Sequence, residues 1–180
     1  FKARKESDGD TDSFVPGLQQ LFGPRVQIFS LDPESTRRRG GQPDSEVHLY
    51  ADQVEPEDVL PLRDTLQLNA TATESTFALK KKYGARWLAT LLDAEPSQID
   101  EMAEVTGAHP GSLSALKRKL DRLTDYAFFH TEARSGKRDA IDELFSALDA
   151  GRSVVLEFGR YNSLLAYLLV ANVVTRRLRS

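Results

Sequence analysis

Basic side chains that could contact phosphate groups occur in short clusters along this chain. Arginine and lysine neutralise phosphate charge and release counterions without reading a base sequence, so such clusters can bind nucleic acid. The formal net charge of the 180 residues is only −3, which excludes a protein that is basic over its whole surface. The clustered residues that we predict to contact DNA or a partner are Arg37, Arg38, Arg39, Lys80, Lys81, Lys82, Lys117 and Arg118. The alternative is that these clusters are ordinary solvated surfaces.

Glu157 is the acidic residue whose position could carry chemistry. It interrupts the apolar stretch from Val154 to Phe158, and Arg160 follows three positions later. An acid at the carboxyl edge of a sheet can act in an active site. The alternative is a carboxylate at the end of a strand that pairs with a neighbouring arginine. Glu157 and Arg160 are therefore kept as weaker candidates beside the basic clusters.

Most other kinds of catalytic and ligand-binding chemistry have no motif in this sequence. Cysteine is absent, which excludes disulfides and thiolate ligands, and the histidines are far apart: His48, His109 and His130. No GxxxxGK followed by Ser or Thr occurs, and Arg39-Gly40-Gly41 lacks the lysine and helix of a phosphate-binding loop. No apolar strand ends in Asp-Glu, the arrangement that would hold magnesium. We assign no catalytic, cofactor-binding or metal-binding residue.

The first fifty residues predict two strands separated by a loop. Residues 1–13 are polar and predict a flexible arm, and residues 14–22 predict a short helix that ends at Gly23. Val26, Ile28 and Phe29 predict a strand that stops at Asp32-Pro33. Glu34–Ser45 should be an exposed loop, and Val47–Tyr50 a second strand.

From Pro56 onward the apolar period becomes helical. We predict helices at Thr71–Leu92, Ser97–Gly107, Pro110–Tyr126 and Asp139–Ala150. Four leucines at spacings of three and four, typical of a helix in a bundle, are Leu113, Leu116, Leu120 and Leu123. Trp87 falls on an apolar helix face, which favours a core position over stacking on nucleic acid.

The last thirty residues predict a strand followed by a helix. Val154–Phe158 is apolar on both faces, which is typical of an interior strand in a covered, mostly parallel sheet, and Leu164–Val174 is apolar almost all round. The fold class is therefore α/β and helix-rich. We predict a flexible arm at 1–13, α/β core at 14–54, an inserted helical bundle at 55–134 and a return to the core at 135–180. No apolar run reaches the roughly 20 residues of a membrane span, so we expect a cytoplasmic protein without a membrane partner.

Several phrases of the sequence resemble the HerA-type ATPases of the HerA/FtsK superfamily of hexameric DNA translocases. They are GPRVQIFSLDPES, QVEPEDVLPLRDTLQLNATATES, KKYGARWLATLLD and SVVLEFGRYNSLLAYLLVANVVTRRL, and the resemblance extends over residues 14–180. It implies a partial RecA-like sheet of the P-loop type with few strands and an inserted helical bundle. The Walker A and Walker B motifs of that family are absent from this chain.

The resemblance implies that the parent protein carries out ATP-driven DNA translocation. This chain would be a central fragment between Walker A and Walker B that binds no cofactor and is inactive alone. ATP and magnesium are expected for the parent protein. The expected partners are further copies in a ring, DNA and a companion nuclease. Two alternatives stay open: a helical adaptor that binds a protein without catalysis, and a stand-alone DNA-binding module.

Overall fold

The computed structural model describes residues 2–4, 14–16, 18–132 and 139–179. The chain forms two compact units, one from residues 1–48 and 138–162 and the other from residues 49–137 and 163–180. The predicted domain boundaries at 54 and 134 stay predictions, and the second lies outside the described residues. The predicted arm at 1–13 is described only at 2–4.

Strands and helices follow one another in this order. The first part contains β1 (Lys2–Arg4), β2 (Phe14–Pro16), α1 (Leu18–Phe22), β3 (Val26–Ser30), α2 (Pro33–Arg38), β4 (Ser45–Glu46) and β5 (Leu49–Tyr50). The middle part contains α3 (Pro56–Val59), α4 (Arg63–Leu66), α5 (Ala70–Tyr83), α6 (Trp87–Asp93), α7 (Pro96–Thr106) and α8 (Pro110–Leu120). The last part contains β6 (Phe129–His130), α9 (Ala140–Asp149), β7 (Ser153–Glu157) and α10 (Leu164–Arg179).

The first unit is built on a three-stranded parallel sheet in the order β4-β3-β7. β3 pairs with β7 along its whole length, from Val26 opposite Ser153 to Ser30 opposite Glu157. The predicted strands at Val26–Phe29 and at Val154–Phe158 are thus both present. α9 packs against β3 and β7 with Ile141, Leu144 and Ala147 buried, and Gly151 ends it with a φ of +73°. The molecule is helix-rich α/β, as predicted.

β7 is not the fully covered interior strand that its composition predicts. Val154, Val155 and Leu156 are only half-buried, while Glu157 is buried. Within the described residues β7 pairs with β3 on one side and with no strand on the other. The apolar run therefore predicts the strand correctly, but its side chains are less buried than predicted.

Three local predictions between residues 14 and 50 are correct only in part. Glu34–Ser45 is not a loop throughout, because Asp32 caps α2 by accepting a hydrogen bond from the N–H of Ser35 and Pro33 occupies its first turn. Residues 14–22 begin with β2, which pairs antiparallel with β1, and only Leu18–Phe22 is helical. The strand predicted at Val47–Tyr50 is confined to β5, Leu49–Tyr50, which pairs with β6, and β4 lies before it and pairs with β3.

The second unit contains a bundle of α5, α6, α7 and α8. The four predicted leucines are fully buried: Leu113, Leu116, Leu120 and Leu123. Trp87 is also fully buried and donates its indole N–H to the carbonyl of Val54 at 2.8 Å, which confirms its predicted core position. α7 ends at Gly107 as predicted, with Ile99, Met102 and Ala103 buried.

The single helix predicted at Thr71–Leu92 is two helices. Gly84 adopts φ +60° and ψ −139°, a conformation that only glycine adopts readily, and it ends α5. A turn of 3-10 helix, Gly84–Arg86, then leads into α6. Phe77 on α5 lies exposed, whereas Leu79, Leu88 and Leu91 are buried.

The last helix, α10, packs against α3 and α4. Its buried face carries Leu165, Ala166, Leu169, Val170 and Val173. Its opposite face exposes Leu164, Tyr167 and Leu178. The nearly all-apolar composition predicts a helix buried on every side, and within the described residues only one face is buried.

Candidate functional site at the carboxyl edge of the sheet

β3 and β7 bring their carboxyl ends to one edge of the sheet, with Ser30 opposite Glu157. Parallel strands place their carboxyl ends together, and open α/β sheets commonly bind ligands outside this edge. The chain continues from β3 through Leu31 and Asp32 into α2, and from β7 through Gly159 and Arg160. The N–H of Leu31 donates to the carbonyl of Glu157 at 2.9 Å, which extends the ladder to the edge itself.

Glu157 is buried at this edge, with 4% of its side chain exposed. Its Oε2 accepts hydrogen bonds from Thr36 Oγ1 at 2.6 Å and from Arg39 Nη2 at 3.1 Å. Its Oε1 is buried and has no hydrogen-bond partner among the residues that the structure describes. The structure therefore pairs Glu157 with an arginine at the strand end, and it leaves one carboxylate oxygen unsatisfied.

A chain of hydroxyl groups connects Glu157 to the start of α2. Thr36 Oγ1 lies 2.8 Å from Ser30 Oγ, and the N–H of Asp32 donates to Ser30 Oγ at 3.1 Å. Thr36 has one hydroxyl proton, and its shortest contact is with Glu157, so Ser30 donates to Thr36. Ser30 and Thr36 are both fully buried. These hydrogen bonds hold the Glu157 carboxylate in a defined position relative to α2.

Asp32 is the second buried carboxylate of the edge. Besides capping α2, its Oδ2 accepts the backbone N–H of Arg160 at 3.1 Å and lies 3.7 Å from Arg160 Nε. Gly159 makes this approach possible: a Cβ on Gly159 would lie 2.4 Å from the Cβ of Asp32, and its φ is +59°. Position 159 therefore requires glycine both for its backbone conformation and for space.

The arginines of this edge point outward while the carboxylates are buried. The exposed side-chain fractions are 44% for Arg39 and 63% for Arg160, against 6% for Asp32. A hydrogen bond from Arg160 to Tyr161 raises the pKa of Arg160, and the charge of Asp32 raises it further. Glu34 raises the pKa of Arg38 in the same way, while the nearby positive charge of Arg160 lowers it.

The sequence of this chain also matches a known family, "Helicase HerA, central domain", over residues 6–178. The chain belongs to this family. No curated protein and no solved structure matches the chain. The resemblance stated from the sequence phrases is therefore confirmed at the level of the HerA central domain, which here includes the three-stranded parallel sheet, the carboxyl edge and the bundle.

The remaining predicted contact residues of this HerA-family chain, apart from Arg37, lie in the second unit. Lys80 is paired with Glu55, with its Nζ 2.6 Å from Oε1, and Lys117 donates to the carbonyl of Leu92 and lies 3.3 Å from Asp121. Lys81, Lys82 and Arg118 are exposed, as is Arg37 on α2. Lys80 and Lys117 thus hold parts of their own unit together, and a role in DNA or partner contact stays a prediction for all of these residues.

The sequence reasoning missed the residues that organise the edge: Ser30, Asp32, Thr36 and Gly159. A signal for two of them was present, because Asp-Pro directly after an apolar strand is typical of a helix N-cap and first turn. As a strand stop alone, this pair of residues does not predict α2. Among the described residues no group of histidine and acidic side chains is placed to hold a metal ion. In the same part of the chain no helix is long and apolar enough to cross a bilayer.

Proposed function

We propose that this chain is part of an ATP-driven DNA translocase of the HerA type. The observation that carries the proposal is the family match over residues 6–178. The parallel order β4-β3-β7, with a helix packed on β3 and β7, fits part of a RecA-like sheet of the P-loop type. The bundle of α5 to α8 would then be an insertion into that sheet.

The chemistry of ATP hydrolysis would come from other parts of the protein. The chain contains no Walker A sequence and no apolar strand ending in Asp-Glu. Those motifs supply the backbone amides, lysine and carboxylates that hold a nucleotide and its magnesium ion. This chain would therefore be a central fragment of a longer polypeptide and would be inactive alone. In the parent, it would contribute part of the core and surfaces for assembly into a ring.

DNA contact is proposed for the exposed basic residues of both units. In the first unit these are Arg37, Arg38 and Arg39, and in the second they are Lys81, Lys82 and Arg118. Their guanidinium and ammonium groups would contact the phosphate backbone, which gives binding that weakens steeply with salt. A companion nuclease and a cytoplasmic location belong to the same proposal and rest on the family alone.

The test compares this chain with the native protein that contains it. A native reading frame that includes GxxxxGK followed by Ser or Thr upstream of Phe1 is the first expected result. A fluorescent ATP analogue should then bind the longer protein with at least about a hundredfold higher affinity than it binds this chain. DNA should stimulate ATP hydrolysis by the longer protein, and a variant lacking the Walker A lysine is the control. A native frame without such a motif, or no DNA-stimulated hydrolysis, would refute the proposal.

A further inference from the structure

We propose that Arg39 and Arg160 form a phosphate-binding pair at the carboxyl edge of β3 and β7. Glu157 is the positioning residue for Arg39, and Asp32 is the positioning residue for Arg160. The proposal goes beyond the HerA-type function, because it assigns a phosphate site to a chain that lacks the Walker motifs. It depends only on the geometry of the first unit.

The first support is the way in which each arginine is held. Arg39 Nη2 donates to the buried Oε2 of Glu157, while 44% of the arginine side chain faces solvent. Arg160 is fixed through its backbone N–H to Asp32 Oδ2, and its guanidinium lies 5.3 Å from the centre of the Tyr161 ring. The exposed guanidinium of Arg39 is thus hydrogen-bonded to a buried carboxylate, and Arg160 Nε lies 3.7 Å from the buried Oδ2 of Asp32. Such donors lose little conformational entropy when a ligand binds.

The second support is the unsatisfied oxygen of Glu157. Within the described part of the chain, Oε1 is buried without a hydrogen-bond partner, and a buried carboxylate that is incompletely paired is costly. A residue retained for stability alone would be better replaced by an apolar side chain of similar volume. The position therefore favours a role in holding Arg39 over a role in stabilising the sheet.

The third support is the match between these groups and phosphate. The planar fork of an arginine binds phosphate oxygens in pairs, and its charge persists at any physiological pH. The compensating carboxylates, Asp32 and Glu157, are buried beneath the surface, so the outward-facing charge of Arg39 and Arg160 is positive. The location outside the carboxyl ends of parallel strands is the one where α/β sheets commonly bind such ligands.

The probe for this site is inorganic triphosphate, titrated into the ¹⁵N-labelled chain and followed by amide chemical shifts. We expect saturable shifts at Gly159 and Arg160, with a Kd on the order of 1 mM. Arg39→Gln and Arg160→Gln should each weaken binding about tenfold, because each removes charge-assisted hydrogen bonds. Arg39→Lys keeps the charge but loses the fork and should also weaken binding.

Arg37→Gln is the matched control. Arg37 is an exposed arginine on α2, two positions before Arg39, so its replacement changes the net charge equally without removing a hydrogen-bond partner of either buried carboxylate. The control should change affinity by less than about twofold, as expected for a screened surface charge. Equal loss in Arg37→Gln and Arg39→Gln would overturn the proposal, as would the absence of saturable shifts at about 10 mM triphosphate.

Glu157→Gln tests the positioning role separately. The substitution keeps the shape of the side chain, removes a buried charge and weakens the hold on Arg39. We expect affinity for triphosphate to fall about as far as in Arg39→Gln while the melting temperature does not fall. A lower melting temperature with unchanged affinity would show that Glu157 is structural and would overturn this part.

The source of the phosphate is identified by competition. A short DNA duplex that displaces triphosphate from the site identifies backbone phosphodiesters as the ligand, and a duplex that does not compete identifies a polyphosphate such as that of a nucleotide. Either result supports the site. A failure to bind phosphate in these assays would not contradict the proposed HerA-type function, since DNA-stimulated hydrolysis by the longer protein is measured independently.

Discussion

The ion pair between Asp58 and Arg176 anchors the last helix within the second unit. Arg176 Nε donates to Asp58 Oδ1 at 2.9 Å and to Oδ2 at 3.0 Å, and Nη2 donates to the carbonyl of Gln53 at 2.7 Å. The Asp58 side chain is 1% exposed and that of Arg176 30%. Replacing Arg176 by Gln would leave a buried carboxylate whose charge has lost its partner.

The burial of Asp58 determines how much free energy of unfolding Arg176→Gln should lose. Removing one member of a buried pair costs about 3–5 kcal/mol, because the other charge stays desolvated. The N–H of Glu55 would still donate to Asp58 Oδ2, at 2.8 Å, and Arg176 is partly exposed, so we expect the lower end of that range. The double variant Asp58→Asn with Arg176→Met leaves no buried charge. It should therefore be more stable than Arg176→Gln alone.

Urea unfolding followed by the fluorescence of Trp87 measures this cost. Trp87 is the single tryptophan of the chain, and it is buried in the same unit. With a urea dependence of about 1–3 kcal/mol per molar, a loss of about 3 kcal/mol lowers the midpoint by about 1–3 M.

The control for this experiment is Arg179→Gln, an exposed position in the last turn of the same helix, which should change stability by less than about 0.5 kcal/mol. A loss below about 1 kcal/mol in Arg176→Gln, or a double variant no more stable than the single one, would refute the reasoning.

Three further substitutions test other features of the second unit. Trp87→Phe should cost about 2 kcal/mol, measured by circular dichroism on heating, because the buried carbonyl of Val54 loses its donor; an unchanged melting temperature would contradict this. Gly84→Ala should lower the free energy of unfolding by about 1–3 kcal/mol, because alanine does not readily adopt the backbone conformation of Gly84. In a continuous helix the same change would raise it by about 1 kcal/mol, so a higher melting temperature would contradict the break at Gly84. Burial raises the pKa of Tyr83 above 10.0, and Glu101 adds to the effect. The folded chain therefore holds the phenol proton more tightly, and this contribution is lost as pH rises above 10.0 through the raised pKa. Tyr83→Phe should flatten the fall in stability between about pH 9 and about pH 11 in urea titrations, and an unchanged slope would contradict the assignment.

The parts of the fold that could be predicted are those with a repeated apolar pattern. The strands at Val26 and Val154, the leucine seam of α8 and the start of α9 at Asp139 all follow from local periodicity and capping. The break at Gly84 could not be predicted, because one glycine inside a helical pattern costs only about 1 kcal/mol and does not decide between a helix and an interruption. Packing of the flanking helices decides it.

The candidate site was only partly accessible to sequence reasoning. Glu157 and Arg160 could be selected because they follow an apolar strand. Arg39 could not be distinguished from Arg37 and Arg38, since the rotation and end of α2 determine which of the three guanidinium groups meets Glu157. The burial of Thr36 depends on residues that are 121 positions away in the chain, and no local pattern contains that information.

The pairing of β3 with β7 also means that the two strands are synthesised at different times. β7 leaves the ribosome more than a hundred positions after β3, as the Thr36–Glu157 contact across 121 positions illustrates. At translation rates of roughly 5–20 residues per second, the edge of β3 that pairs with β7 stays unpaired for on the order of 10 s. The intervening bundle is contiguous in sequence, so its own helices are all available before β7 emerges. The nascent chain therefore carries an open β-edge for that interval, and a chaperone or a second nascent chain has time to occupy it.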